Sequence, residues 1–116
     1  PSATLTATPL YHRGRLYVPV SSLEVVPAAD PAYACCTFRG STVALDAETG
    51  AEVWRFHPIP EAPREVGRTP AGTKMLGPSG APMWISPTVD AAGTTLYLGS
   101  GQNYSTPADG NSDAIF

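Results

Sequence analysis

The sequence predicts an all-β fold, on three observations. Proline (13 residues) and glycine (11 residues) make up about a fifth of the chain's 116 residues, punctuation too dense for long helices but suited to short strands and turns. Apolar residues alternate rather than recur at helical spacing, and one strand-turn-strand pattern occurs twice.

The elements are taken in chain order. Thr4–Tyr11 is β-branched and aromatic, with Pro9 marking an edge or a bulge, and reads as the hairpin partner of the strand beyond the turn His12-Arg13-Gly14. Arg15–Val20 sets Leu16, Val18 and Val20 on one face against Arg15, Tyr17 and Pro19 on the other, as a half-buried strand does. Ser41–Leu45 then passes through the turn Asp46-Ala47-Glu48-Thr49-Gly50 into Glu52–Phe56. Residues 1–56 are thus expected to form four antiparallel strands, the size of one propeller blade.

Residues 57–83 show little periodicity and are expected to be a long loop or insertion. From 84 to 116 the pattern restarts. Trp84–Asp90, a turn at Gly93 and Thr95–Ser100 echo the first hairpin, with Pro9 matched by Pro87 and Tyr17 by Tyr97, at offsets of 78 and 80. A second loop, Gln102–Asn111, leads to Ser112–Phe116, which stands where the first unit has its third strand. Repeated four-stranded units imply a β-propeller, which closes with about four to eight blades. One and a half blades would leave edges and inner faces uncovered. With Pro1 in place of Met and an apolar run up to Phe116, the sequence is expected to be a piece of a longer protein, truncated inside its second blade.

Composition excludes several functions. A net charge of −3 offers no footprint for nucleic acid or an anionic membrane, and no apolar run approaches the roughly 20 residues of a spanning helix. Cys35 and Cys36 are adjacent, which is neither a multi-bridge scaffold nor a C-x-x-C site. His12 and His57 lack metal-ligand spacing and are expected at the surface, in or beside turns. Asn103-Tyr104-Ser105 fits a glycosylation sequon that occurs commonly by chance, and Gly99-x-Gly101 is too short for a dinucleotide fingerprint. Asp46, Glu48, Glu52 and Glu61 are expected to serve turns and solvated faces.

Ala44–Trp54 resembles the tryptophan-docking motif, A-x-D-x-x-T-G-x-x-x-W, of the quinoprotein (PQQ-dependent) alcohol dehydrogenase family. There the Trp ring packs between blades while the Asp and Thr bond the turn. Tyr17–Glu24, Cys35–Ser41 and Gly77–Asp90 resemble the polyvinyl alcohol dehydrogenases within that family, so the resemblance covers nearly the whole chain. It implies an early to middle portion of an eight-bladed propeller.

The resemblance also implies a site. Glu24 stands at the family's calcium-ligating glutamate, just past the second strand. Ser21 and Ser22 precede it where small residues hold the quinone's carboxylates, and Leu23 departs from the pattern. Thr6, eighteen residues before Glu24, matches a threonine that bonds the cofactor. Trp84 matches a tryptophan stacked on the quinone, and Gln102, eighteen residues later, stands at an asparagine that ligates calcium. Gln102 keeps the amide oxygen with one more methylene, so either it or Asn103 serves, and a hard cation accepts such oxygens. Several members carry a vicinal disulfide over the quinone, but before the glutamate; Cys35 and Cys36 follow Glu24 by eleven and twelve residues. They are expected as a cofactor-facing disulfide, as free thiols or as a local brace, and Arg39-Gly40 as a structural strand opening.

For the parent protein, the resemblance implies PQQ and a calcium ion as cofactors. It implies oxidation of a secondary alcohol, polymeric or small, to a ketone, cytochrome c as electron acceptor, and a bacterial periplasmic location. The catalytic base lies beyond these residues, so none of them is expected to be catalytic and the piece alone is expected to be inactive. Two alternatives stand: a non-catalytic propeller scaffold for protein–protein contacts, which has no reason to place Glu24, Trp84 and Gln102 together, and a PQQ-dependent sugar dehydrogenase.

Overall fold

The computed structural model describes residues 3–116; the first two residues of the 1–56 unit lie outside it. The fold is all-β: apart from one 3₁₀ turn at Pro27–Ala29, the described regular elements are strands.

Five strands form the first sheet: β1 (Ala3–Thr4), β2 (Leu10–His12), β3 (Arg15–Ser22), β4 (Ser41–Asp46) and β5 (Glu52–Phe56). β3 pairs antiparallel with β4 from Arg15↔Asp46 to Val20↔Ser41, and β4 pairs with β5. The single partner strand expected from Thr4 to Tyr11 is split in two. Ala3 and Thr4 face Ser22 and Ser21, whereas Leu10 faces Tyr17, so the five residues Leu5–Pro9 stand opposite the three residues Val18–Val20. The excess is a bulge. Both prolines of the region lie here, Pro9 in the bulge and Pro19 opposite it, where no ladder bond is asked of a missing N–H.

The β4–β5 turn has the expected chemistry. Asp46 Oδ1 accepts from Glu48 N (3.1 Å), Thr49 N (3.0 Å) and Thr49 Oγ1 (3.0 Å), and Gly50 takes φ 73°. These bonds hold the Asp46 carboxyl below the usual carboxylate range.

The 57–83 stretch, expected as a loop without periodicity, contains a hairpin. β6 (Arg64–Arg68) pairs antiparallel with β7 (Lys74–Gly77), with a register shift between Glu65 and Gly67. Charged residues at Arg64, Glu65, Arg68 and Lys74 replace the usual apolar alternation, because both faces of this hairpin are largely exposed; Glu65 pairs with Arg68 and Lys74 at 3.2 Å each.

Beyond it, β8 (Ser79–Gly80) pairs antiparallel with β11 (Asn103–Ser105) and bridges Arg39 in parallel. Gly40 N donates to Gly80 O and Gly80 N to Phe38 O, each at 2.8 Å. This approach explains Gly40: a Cβ there would stand 1.7 Å from Ala81 O. β8 thus ties the first unit to the second.

In the second unit β9 (Thr88–Val89) pairs with β10 (Leu96–Tyr97). Tyr97 faces Thr88, the residue after Pro87, as Tyr17 faces Leu10, the residue after Pro9, so the repeat read in the sequence is a repeat of pairing register. Phe116 and Leu98 exchange backbone bonds at 2.9 and 3.0 Å, which puts the last residues beside β10. The buried apolar residues are Val43 and Ala44 on β4, Leu98 just after β10, and Cys36, Phe38, Ile59, Ala81 and Met83 in the connecting segments.

The histidines are less exposed than expected. His57 is half-buried and its Nδ1 donates to Gly40 O (2.8 Å), which fixes the tautomer; burial pushes its pKa down. His12 is also half-buried and lies 3.3 Å from Gly93 O, connecting the hairpin turns of the two units.

Candidate functional site

The end of β3 carries the site. Ser21 and Ser22 are buried, and Ser22 Oγ accepts the N–H of Glu24 (2.9 Å), curling the chain so that the Glu24 side chain turns inward. Glu24 is only 1% exposed. A buried carboxylate must be matched by donors, and four groups supply them: Phe38 N (2.8 Å), Thr37 N (3.0 and 3.2 Å), Tyr33 OH (3.0 Å) and Thr37 Oγ1 (3.4 Å). All four belong to the segment after the 3₁₀ turn, so Glu24 anchors the loop that carries both cysteines. Its bond, with burial second, raises the Tyr33 pKa; burial and then the Glu24 charge raise that of Tyr104.

Cys35 and Cys36 are joined in a vicinal disulfide, which removes the free-thiol option. Cys36 N donates to Leu76 O (3.0 Å) and Leu76 N to Cys35 O (2.6 Å), so the ring braces the loop against β7. Cys36 is wholly buried.

Trp84 is 51% exposed, held at the same end of the sheet because its neighbour Met83 donates to Val20 O (3.2 Å). The 99–103 segment packs against it. Gly101 N donates to Pro82 O (2.9 Å) and Ala81 N to Gln102 O (2.8 Å), and a Cβ on Gly101 would stand 3.2 Å from the Trp84 ring. Gln102 is half-buried. The amide oxygen of Asn103 accepts from Asp109 N (3.2 Å), so that side chain serves its own loop. Thr6 is exposed within the bulge, which Thr8 N ties to Ser86 Oγ (3.1 Å). Backbone bonds thus bring the Met83–Trp84 segment beside Val20 near the end of β3, and Gln102 beside Ala81, while Glu24 spends its carboxylate on the loop of Tyr33, Thr37 and Phe38.

The sequence did not point to Tyr33, Thr37 or Tyr104. Tyr104 OH donates to Ser22 O (3.3 Å) and its ring stacks on Phe38 at 6.2 Å between centroids. The one available signal was chemical: a glutamate turned into the protein after a strand needs donors, and the next loop is where they must come from. Among the described residues no three His, Cys, Asp or Glu side chains gather to hold a metal ion.

No protein-family model matches the chain. It is 39% identical over 115 residues to a polyvinylalcohol dehydrogenase of a Sphingopyxis species and 34% identical over 115 residues to one of a Pseudomonas species, covering 99% of this chain and 18% of each relative. It is 30% identical over 111 residues to the quinohemoprotein alcohol dehydrogenase of Comamonas testosteroni, covering 14% of that relative. The chain thus spans less than a fifth of the curated relatives it matches. Its fold is similar to the crystal structure of the Comamonas enzyme (TM-score 0.56, 24% identity, 88% of this chain and 15% of that one). It is also similar to quinohemoprotein alcohol dehydrogenase ADHIIG of Pseudomonas putida (TM-score 0.59, 23% identity, 95% and 17%). The chain is thus similar in sequence to one segment of polyvinyl alcohol dehydrogenases and of a quinohemoprotein alcohol dehydrogenase, and its all-β fold is similar to that of quinohemoprotein alcohol dehydrogenases.

Proposed function

We propose that the chain is a segment of a PQQ-dependent alcohol dehydrogenase that oxidises secondary alcohols, those of a polyvinyl alcohol-like polymer included, to ketones. The backbone bonds that set the Met83–Trp84 segment beside Val20, next to the Ser21–Glu24 end of β3, support the reading. The residues suit a planar quinone. Trp84 is half exposed beside the Gly101 backbone, which lacks a Cβ that would crowd the ring, and would offer an aromatic face to the quinone. Thr6, Ser21 and Ser22 would supply hydroxyls to its carboxylates, Ser22 as a donor because its oxygen already accepts from Glu24 N.

Glu24 and Gln102 would supply oxygens to a calcium ion, which takes about 6–8. The carboxylate already accepts from four protein groups, so an ion there would displace the hydroxyls of Tyr33 and Thr37 and leave the two backbone donors as its orienting bonds. When bound, the quinone supplies the acceptor for the hydride of the alcohol carbon and releases electrons singly to a cytochrome c. The base that takes the hydroxyl proton comes from outside these residues. Trp54, 38% exposed with Tyr17 at 5.8 Å, docks on a neighbouring blade, and the enzyme works in the bacterial periplasm.

The saturated hydrogen bonding of Glu24 favours one alternative, a non-catalytic propeller in which this carboxylate is purely structural. Stripping the full-length protein with a chelator and restoring PQQ, with and without calcium, separates the two. Saturable dye reduction on polyvinyl alcohol and on a small secondary alcohol is the expected result. Absence of reduction under every condition, with the fold intact, rejects the enzyme.

A further inference from the structure

A cleft of about 290 Å³, with Cys35 in its lining, contains none of Thr6, Ser21, Ser22, Glu24, Trp84 or Gln102. Three segments wall it: the loop after the 3₁₀ turn with Pro31, Tyr33 and Cys35, the hairpin with Met75, and Tyr104 on β11. Its walls are fixed in place. The disulfide is bonded to Leu76 in both directions, and Ser105 is hydrogen-bonded to Ser79. Both tyrosines spend their hydroxyls inward, Tyr33 on Glu24 and Tyr104 on Ser22 O, so that their rings are what the cleft presents.

The lining is therefore two phenol rings, a thioether, a disulfide and a proline ring, soft apolar surfaces with threonine hydroxyls of Thr69 and Thr106 among them. Charge does not favour an anion. Lys74 at the rim is paired with Glu65 at 3.2 Å, and Asp30 lines the same cleft. The volume is at the lower limit of small-ligand sites, about 300–1,000 Å³, and suits a short length of flexible chain. Its position adds to this. The two tyrosines connect the cleft to Glu24 and Ser22 by single hydrogen bonds, so cleft and proposed quinone site share one wall.

We propose that this cleft is a substrate subsite for a hydroxylated aliphatic chain, holding methylenes against Met75 and the Cys35–Cys36 disulfide and hydroxyls at Thr69 and Thr106. It rests on the dehydrogenase reading, because it holds the part of a long alcohol that is not being oxidised. Contacts of this kind bind ground and transition states alike, so their loss appears in KM rather than kcat.

The test uses the full-length protein reconstituted with PQQ and calcium, a vinyl alcohol oligomer and 2-butanol as substrates, and the cleft-filling substitution Met75→Trp. Lys74→Trp at the exposed rim serves as a second variant where Met75→Trp fails to fold. The expected result is a KM for the oligomer raised about tenfold or more, with kcat/KM for 2-butanol within about twofold of wild type. Equal losses on both substrates, or no change on either, overturn the subsite. If the wild type oxidises neither alcohol, the dehydrogenase reading has failed by itself, and calorimetry with the oligomer decides the cleft. Binding weakened about tenfold by the filling variant sustains it; absent binding, or preference for a sugar oligomer of equal length, overturns it.

Discussion

The phenol of Tyr33 donates to Oε1 of Glu24 at 3.0 Å, joining the cysteine-bearing loop to the carboxylate at the end of β3. Because Thr37 N and Phe38 N bind the same carboxylate, Glu24 organises the loop from within, and the loop in turn walls the cleft.

Glu24→Gln puts an amide N–H₂ where donors already point. Charge-assisted bonds are worth more than neutral ones, so the unfolding free energy should fall by about 2–3 kcal/mol, whereas Tyr33→Phe, which leaves both backbone donors satisfied, should cost about 1 kcal/mol. Denaturant unfolding with an unchanged m-value checks both. A Glu24→Gln protein as stable as wild type would show that the carboxylate is not the loop's anchor.

Gly40→Ala should be far more damaging than its size suggests. The new Cβ would meet Ala81 O, a backbone atom, at 1.7 Å, so the 38–40 segment and β8 would have to separate. A loss of at least about 3 kcal/mol is expected, measured by thermal or chemical unfolding. A loss below about 1 kcal/mol would mean that the two units are not joined through β8.

Much of this architecture was legible in the sequence because it is local. The alternation of Leu16, Val18 and Val20 and the Asp46-Thr49-Gly50 turn depend on near neighbours, and the register repeat is carried by Pro9/Pro87 and Tyr17/Tyr97. The β6–β7 hairpin was not legible, since its strands are charged and exposed and carry no apolar period. Pro9 signalled an edge or a bulge, but the extent of the bulge, Leu5–Pro9, was not legible, because register is set by partners. Of the candidate site, resemblance supplied Glu24, Trp84 and Gln102. The donors around Glu24 come from a loop whose course no periodicity describes.

Acid should reveal His57. Burial, its largest influence, lowers its pKa in the folded protein below the ordinary 6.5. Above that value the ring is neutral folded and unfolded, and costs nothing. As pH falls below it, the unfolded chain takes up a proton that the folded chain resists, so stability declines until the folded pKa is reached. His57→Asn should flatten the stability profile between about pH 6.5 and the acid side of that window. An unchanged slope would contradict the assignment.

Trp84→Ala should separate binding from folding. A side chain half exposed contributes little to the core, so unfolding should shift by less than about 1 kcal/mol, while a lost stacking face should weaken PQQ affinity about tenfold.

The most direct measurement of the central claim is equilibrium binding of PQQ to the full-length protein, with and without calcium, for wild type, Trp84→Ala and Glu24→Gln. Saturable, calcium-strengthened binding that Trp84→Ala weakens, with Glu24→Gln removing the calcium effect, is the predicted result. Binding absent in the wild type, or unchanged in both folded variants, would contradict a quinone site built from the two units.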